Sequence, residues 1–295
     1  MKGVKELKAR LSSVGNIRKV TSTMELVAGA KMKKLQERAM ATRPYAQAIR
    51  AMMGQVAQFA PGEVSPLLRQ PDQVSRECVI VIAADKGLCG AFNTNVFRKA
   101  MEYIRRRMDE GVEVSVYTFG NRSEKFFAKV KMPFVGKLEE KLEGVGYRRV
   151  AATMRSLSED FVSDRFQRIS LVRTELVSAA RFEPSIQTVL PFTAEAMKGD
   201  ESEVDRNFDL DYLMEPSPKV ILERLIPKTL EMSLLSAVHE SLAAEFAARR
   251  IAMKNATDSA TEMIDELRME YNKARQAGIT GELLEITAGA EALKG

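Results

Sequence analysis

The chain has 295 residues, 45% of them hydrophobic and 29% charged, so it can bury the core of one large or two small domains. Its longest uncharged apolar run, CVIVIAA at 78–84, is far shorter than the ~18 residues that a membrane span requires, and its charged N-terminus excludes a secretory signal peptide. Two cysteines and one histidine, His239, indicate a reducing compartment and provide no metal-ligand spacing, so we expect neither a metal nor a cofactor.

The net charge of +5 is unevenly distributed along the chain. Residues 1–50 carry 12 Lys and Arg against 3 acidic residues, whereas 229–295 carry 7 against 11. All ten prolines lie between Pro44 and Pro227, which predicts long helices at both ends. Their opposite charges favour antiparallel pairing. A basic N-terminal helix also suits a nucleic acid or an anionic membrane, and that alternative stays open at this point.

The first helix, predicted within 1–60, has a narrow apolar stripe. Its members step by three and four residues and are Val4, Leu7, Leu11, Val14 and Ile17. A stripe of this width is typical of a coiled coil, because a helix that covers a globular core needs a broader apolar face.

Strands and helices alternate in the middle of the chain. CVIVIAA has the pattern of a strand buried on both faces. The predicted elements after it are the turn at 85–90, helices at 93–109, 122–129 and 147–166, and strands at 112–119, 168–176 and 185–190. The order predicts a Rossmann-like α/β domain at 75–193, inserted between the two end helices. An acidic linker at 194–216 follows it.

The segment DKGLCGAFN, at 85–93, is the most enzyme-like feature. Two glycines between a strand and a helix can present backbone N–H groups to a phosphate. However, the third glycine of the dinucleotide fingerprint is missing, and no acidic residue ends the next strand. The pattern therefore favours a tight turn over a nucleotide site, and an enzyme built on this domain is the second alternative.

The last helix, predicted within 217–295, has small residues where a core helix carries leucine. A seven-residue repeat relates Phe246, Met253, Ala260, Leu267 and Ala274, with Leu242, Ala256 and Met263 on the interleaved position. Such a repeat predicts close packing against another helix, and the first helix is the candidate partner.

Near the end of this helix, Gly278 and Gly281 each cost about 1 kcal/mol of helix stability relative to alanine. Their presence indicates that another chain passes close to them. Arg275 and Gln276, just before them, are long hydrogen-bond donors suited to a partner's carbonyl or carboxylate groups.

Several motifs in order carry a family resemblance over nearly the whole chain. They are VTSTMELVAGAKMKKLQ at 20–36, RPYA at 43–46, DKGLCGAFN at 85–93, DYLMEPSP at 211–218, SLAAEFAARRIAMKNATDSA at 241–260 and NKARQAGITGELLEITAGA at 272–290. With these motifs the sequence resembles the gamma subunit of F-type ATP synthase.

The resemblance implies a non-catalytic central rotor shaft. Residues 1–60 and 217–295 would form one antiparallel coiled coil inside the head of alpha and beta subunits. The α/β domain and the 194–216 linker and foot would lie near the epsilon subunit and the c-ring. Ion-driven rotation of the ring would change the conformation of the catalytic beta subunits during ATP synthesis or hydrolysis. Neither a nucleic acid nor a membrane span is implied.

The resemblance also implies site residues. Positions expected to contact beta subunits are Met24, Arg249, Arg275, Gln276, Thr280 and Glu282, and those expected near the ring and epsilon are Tyr212 and Glu215. The sequence departs from the family pattern at Phe246, Arg250 and Gly281, which affects local packing. A start at Met1 directly in the helix indicates a bacterial, peripheral protein on the cytoplasmic face of the cell membrane.

Overall fold

The computed structural model describes residues 3–57, 65–176, 181–192 and 215–292. Its helices are α1 (Val4–Ala57), α2 (Phe92–Asp109), α3 (Asn121–Lys129), α4 (Tyr147–Val162) and α5 (Pro218–Ala292). Its strands are β1 (Arg76–Ile82), β2 (Glu113–Phe119), β3 (Phe134–Lys137), β4 (Arg168–Leu176) and β5 (Phe182–Leu190). Within the described ranges, every helix is too short or too polar to cross a membrane.

The chain divides into two compact bodies, and each long helix contributes to both. The first body consists of Met1–Gly29 and Arg249–Gly295, and the second of Ala30–Ala248. Helix α1 has 54 residues and α5 has 75. The prediction of two long end helices around an inserted α/β fold is confirmed.

The buried side chains of α1 follow a seven-residue period. Those on one heptad position are Leu7, Ala28, Leu35, Ile49 and Val56. The stripe differs from the prediction at Ile17, which is 52% exposed. In a repeat of alternating four- and three-residue steps, the position after Val14 is residue 18. Ile17 therefore lies beside the seam, the line of residues along which one long helix packs against the other.

The seam of α5 also differs from the prediction in one detail. Met253, Ala260 and Leu267 are buried as expected, but Met263 is 50% exposed and Ile264 is buried in its place. The step after Ala260 is therefore four residues.

Contacts within the first body establish the direction of pairing. The Thr257 hydroxyl donates to the Thr21 hydroxyl over 2.8 Å. Eight residues further along α1, a Cβ atom on Gly29 would lie 3.6 Å from the Arg250 side chain. The partner numbers fall on α5 as they rise on α1, so the helices are antiparallel.

The second body contains a five-stranded sheet in the order β3-β2-β1-β4-β5. Strand β1 pairs in parallel with β2 and β4, whereas β5 pairs antiparallel with β4. Helices α2 and α3 pack on the sheet face that carries Val79 and Val81, and Ala244 and Ala248 of α5 join the same apolar cluster. Right-handed crossovers place α4 on the opposite face.

Three local features differ from the sequence prediction. Strand β3 was missed, because four residues at a sheet edge give almost no periodic signal. The antiparallel pairing of β5 was not foreseen. Helix α4 ends at Val162, four residues early, because the chain turns at Asp164, whose φ is 61°.

A buried polar network joins α2 to β1 and β4. The Glu77 carboxylate is fully buried and accepts hydrogen bonds from the Tyr103 hydroxyl (2.7 Å), the Ser170 hydroxyl (2.6 Å) and Arg107 Nε (2.7 Å). Burial raises the pKa of Tyr103. Burial opposes the positive charge of Arg107, but Glu77 outweighs it and raises the pKa of the guanidinium. The Arg107 guanidinium is therefore charged throughout the neutral range.

We expect Arg107→Met to lower the free energy of unfolding by about 3–5 kcal/mol, because Glu77 would keep a buried charge without its cation. Urea unfolding of the purified chain at pH 7 measures this change. Arg105→Met, at an exposed position of the same helix, is the control and should change stability by less than about 0.5 kcal/mol. Equal losses in the two variants would contradict the role given to Arg107.

Candidate functional site on the long helices

The C-terminal end of α5 extends past the described start of α1. Extrapolation from the Thr21–Thr257 and Gly29–Arg250 pairs brings Val4 level with about residue 274. Residues 275–291, called the tip here, are exposed except for the half-buried Gly281. Along a helix they cover about 25 Å. The tip is thus a single helix whose side chains are open to another molecule.

Four predicted site residues lie together on the tip. Arg275, Gln276, Thr280 and Glu282 are all exposed. Gln276 and Thr280 are one turn apart, and the Thr280 hydroxyl donates to the backbone carbonyl of Gln276 over 2.9 Å. Arg275 and Glu282 are two turns apart on the same side of the helix. The tip therefore presents two adjacent polar strips. One carries the opposite charges of Arg275 and Glu282, and the other carries the uncharged side chains of Gln276 and Thr280.

Apolar residues between and beside these strips were missed by the sequence reasoning. They are Ile279 (50% exposed), Leu283 (57%), Leu284 (64%) and Ile286 (67%). In the sequence they continue the helical pattern and look like seam residues. The adjacent pair Leu283 and Leu284 is the signal that was available, because neighbours 100° apart do not both belong to the narrow seam of a coiled coil. A contiguous exposed apolar surface of this kind marks an interaction site.

The two tip glycines have space around them within the chain. A Cβ atom built on Gly278 or on Gly281 would meet nothing within 4 Å. The close approach predicted from these glycines therefore does not come from this chain. A partner molecule remains the prediction.

The two remaining predicted beta-contact residues lie further from the end of α5. Met24 of α1 is half-buried, and Arg249 is 8% exposed. Both belong to the same body as the tip. Arg249 is thus much less open to a partner than Arg275.

The two departures next to Arg249 have local packing explanations. The side chain of Arg250 lies against the small Gly29, so its methylene stem can fill the space of an apolar side chain. Phe246 is 7% exposed, and the Lys31 ammonium lies 5.4 Å from the centre of its ring. Such a cation–π contact adds an attraction between α1 and α5.

The predicted foot is described only in part. Glu215 is exposed and belongs to the second body. Tyr212, and residues 194–214 of the linker, lie outside the described residues.

The glycine-containing turn after β1 is held by side chains of the α/β domain. The Asp85 carboxylate accepts the N–H groups of Asn121 (3.2 Å) and Leu142 (2.9 Å). The Asn93 side chain accepts the N–H of Ala84 over 3.0 Å. A carboxylate at the carboxyl edge of the sheet would repel a phosphate, so the geometry favours the tight turn that the sequence indicated.

Fold and site together define a class of protein: a chain with two long end helices, an inserted α/β domain, and an exposed tip at the end of the second long helix. The chain matches the family described as ATP synthase over residues 3–293. The ATP synthase gamma chains of Xanthomonas campestris and Xanthomonas axonopodis are 36% and 37% identical over 293 residues, covering 99% of this chain and all of each relative. The chain belongs to the ATP synthase gamma chain family.

Solved structures share the fold. A chain of the Euglena gracilis mitochondrial ATP synthase, in a structure of OSCP, F1 and c-ring, matches 98% of this chain and 94% of its own length, with a TM-score of 0.69 and 20% identity. A chain of the Tetrahymena thermophila mitochondrial ATP synthase central stalk and c-ring matches 80% of this chain and 99% of its own, with a TM-score of 0.57 and 18% identity.

The family assignment confirms the function expected from the sequence. The chain is the non-catalytic central-stalk subunit of an ATP synthase. This result takes precedence over both alternatives, the nucleic-acid or membrane binder and the enzyme built on the α/β domain.

We expect Gly278→Ala and Gly281→Ala each to stabilise the tip helix of the isolated chain by about 1 kcal/mol, because alanine is the better helix former and its methyl group meets nothing. Amide hydrogen exchange at residues 276–286 should slow about fivefold. The reverse substitution at a neighbouring exposed position, Ala277→Gly, is the control and should accelerate it. Unchanged exchange in the alanine variants would mean that the tip is not helical in the free chain.

Proposed function

We propose that this chain is the rotor shaft of an F-type ATP synthase. Rotation of the membrane ring, driven by protons or sodium ions, passes through the chain into the head of alpha and beta subunits. There it drives each beta subunit through conformations of different nucleotide affinity. The observation that carries the proposal is the tip, where polar and apolar side chains are exposed on a single helix of an ATP synthase gamma chain.

The chemistry of the tip suits contacts that form and break in each turn. Arg275, Gln276 and Glu282 can make directional hydrogen bonds, which orient a partner without a large permanent buried area. The exposed apolar side chains can slide against an apolar wall, because the hydrophobic effect has no preferred direction. A rotating contact needs both properties.

The slenderness of the helix pair suits the same role. Small residues such as Ala28 and Ala260 are buried on the seams, so the two helices approach closely and the pair is thin. Its outer positions on α1 include charged side chains such as Lys5, Arg10 and Lys33, together with exposed apolar ones such as Leu26. The charged side chains resist permanent association with the surrounding subunits, which would stop rotation.

The residue assignments form part of the proposal. In it, Met24, Arg249, Arg275, Gln276, Thr280 and Glu282 contact beta subunits, and Tyr212 and Glu215 contact the epsilon subunit and the c-ring. The division into 1–60, 75–193, 194–216 and 217–295 belongs to the proposal too. So does the location of the chain at the cytoplasmic face of a bacterial membrane.

The decisive experiment is ATP hydrolysis by alpha and beta subunits of the same organism, with and without this chain. The chain alone should not hydrolyse ATP, should incorporate once per three alpha-beta pairs, and should give steady turnover. Hydrolysis by the chain alone, or failure to incorporate, would overturn the proposal.

Replacing the paired donors of the tip should weaken the chain's hold on the head. We expect Arg275→Ala with Gln276→Ala to reduce the affinity for the alpha-beta assembly about tenfold, the equivalent of ~1.4 kcal/mol. Titration of the labelled chain into alpha-beta measures this affinity. Lys99→Ala, on α2, is the control and should leave it unchanged. An equal effect of both substitutions would contradict the assignment of the donors.

A further inference from the structure

The α/β domain of the second body is attached to α5 at two separate places. At the first, the Thr174 N–H of β4 donates to the Ser241 hydroxyl over 3.1 Å. Next to it, the Arg173 guanidinium donates to the Glu240 carboxylate over 2.8 Å. Ala244 and Ala248 continue this attachment into the apolar cluster.

The second attachment connects α4 to α5 and is built from Tyr147, Lys228 and Glu231, here called the α4–α5 clamp. The Tyr147 hydroxyl donates to the Glu231 carboxylate and accepts a hydrogen bond from the Lys228 ammonium. That ammonium also lies 4.2 Å from the centre of the Tyr147 ring. One phenol thus contacts both charged side chains.

The central carboxylate of the clamp, that of Glu231, is largely shielded from water. Glu231 is 8% exposed, and its second partner on α4 is the guanidinium of Arg155, 3.4 Å away. Burial and the hydrogen bond to Glu231 raise the pKa of Tyr147, so its hydroxyl keeps its proton at neutral pH. A buried carboxylate that loses such donors is destabilised, because water cannot replace them.

The two attachments together prevent rotation of α5 against the domain. Glu231 and Ser241 are ten residues apart, or about 15 Å along the helix. One of them is held by α4 and the other by β4, which belong to different layers of the domain. A helix held at a single place can pivot, whereas two separated places fix both its direction and its rotation.

The ion pair between Lys31 of α1 and Glu143 of the α/β domain is weaker. Lys31 and Glu143 approach within 2.6 Å, but their side chains are 40% and 50% exposed. Exposed ion pairs contribute little, because water and salt screen them. Of the polar contacts described between the domain and the two long helices, the less exposed ones are made with α5.

We propose that the α4–α5 clamp is the positioning element through which the α/β domain turns the C-terminal helix of the shaft. This inference rests on the proposed rotor function. It assigns Tyr147, Lys228 and Glu231 a role in coupling at a distance from the tip. Torque that enters the domain is passed to α5 and reaches the N-terminal helix through the helix pair.

The test uses the complete ATP synthase in inside-out membrane vesicles. Glu231→Gln keeps the shape of the side chain but removes its charge, and Tyr147→Phe removes only the hydroxyl. We expect both variants to hydrolyse ATP within about twofold of the original rate while ion uptake per ATP falls at least threefold. Glu143→Gln, which breaks the exposed pair and leaves Lys31 in place beside Phe246, is the matched control and should change neither quantity.

Hydrogen exchange on the purified chain tests the clamp independently of rotation. Amides at 147–152 and 226–233 should exchange several-fold faster in both clamp variants, and those of β1 should not change. Unaltered exchange together with unaltered ion uptake in Tyr147→Phe overturns the inference, even if Glu231→Gln fails to assemble. If the original complex hydrolyses ATP without any ion uptake, the proposed rotor function itself fails, whatever the exchange shows.

Discussion

Most of this structure depends on one constraint, the burial of two narrow seams against each other in an antiparallel helix pair. Neither α1 nor α5 has a broad apolar face, so each long helix gains most of its stability from packing its narrow seam against the other. The seam residues provide the stabilisation, and the Thr21–Thr257 hydrogen bond lies among them. Because small residues such as Ala28 and Ala260 occupy parts of the seams, the pair can be stiff and thin at once.

The same constraint separates the surfaces of the chain by function. Side chains on the seams are used for pairing, and α5 continues beyond the described start of α1 with no seam to fill. Its apolar side chains, such as Leu283 and Leu284, are therefore exposed in the free chain. This exposure would be a liability in a monomer, and it is understandable in a subunit that meets its partners inside a larger complex.

The α/β domain is stabilised in a different way. Its central strand β1 is buried on both faces, and a polar network around the fully buried Glu77 orients α2 against β1 and β4. The turn after β1 looks like a phosphate site in the sequence, but Asp85 and Asn93 use its surrounding N–H groups for structure. The domain resembles a nucleotide-binding fold in its connections and differs from one in the chemistry of its sheet edge.

By itself, the sequence determined the kind of elements and their order. Proline distribution predicted the long helices, the uninterrupted run at 78–84 predicted a buried central strand, and several motifs in order indicated the family. These signals are local, or they repeat with a period, so one strand or helix is enough to reveal them. The polar residues of the tip were found in this way as well.

Only the tertiary structure decided which of those residues have neighbours. Whether Ile17 or Met263 lies on a seam depends on where the partner helix passes, and a one-residue change in step exposes either of them. Strand β3 is too short to show a pattern in the sequence, and it forms because the edge of β2 is free to pair with it. The α4–α5 clamp joins residues more than 80 positions apart, and no local pattern can indicate that Tyr147 meets Glu231. Long-range packing creates that contact, because the fold brings the start of α4 to the side of α5.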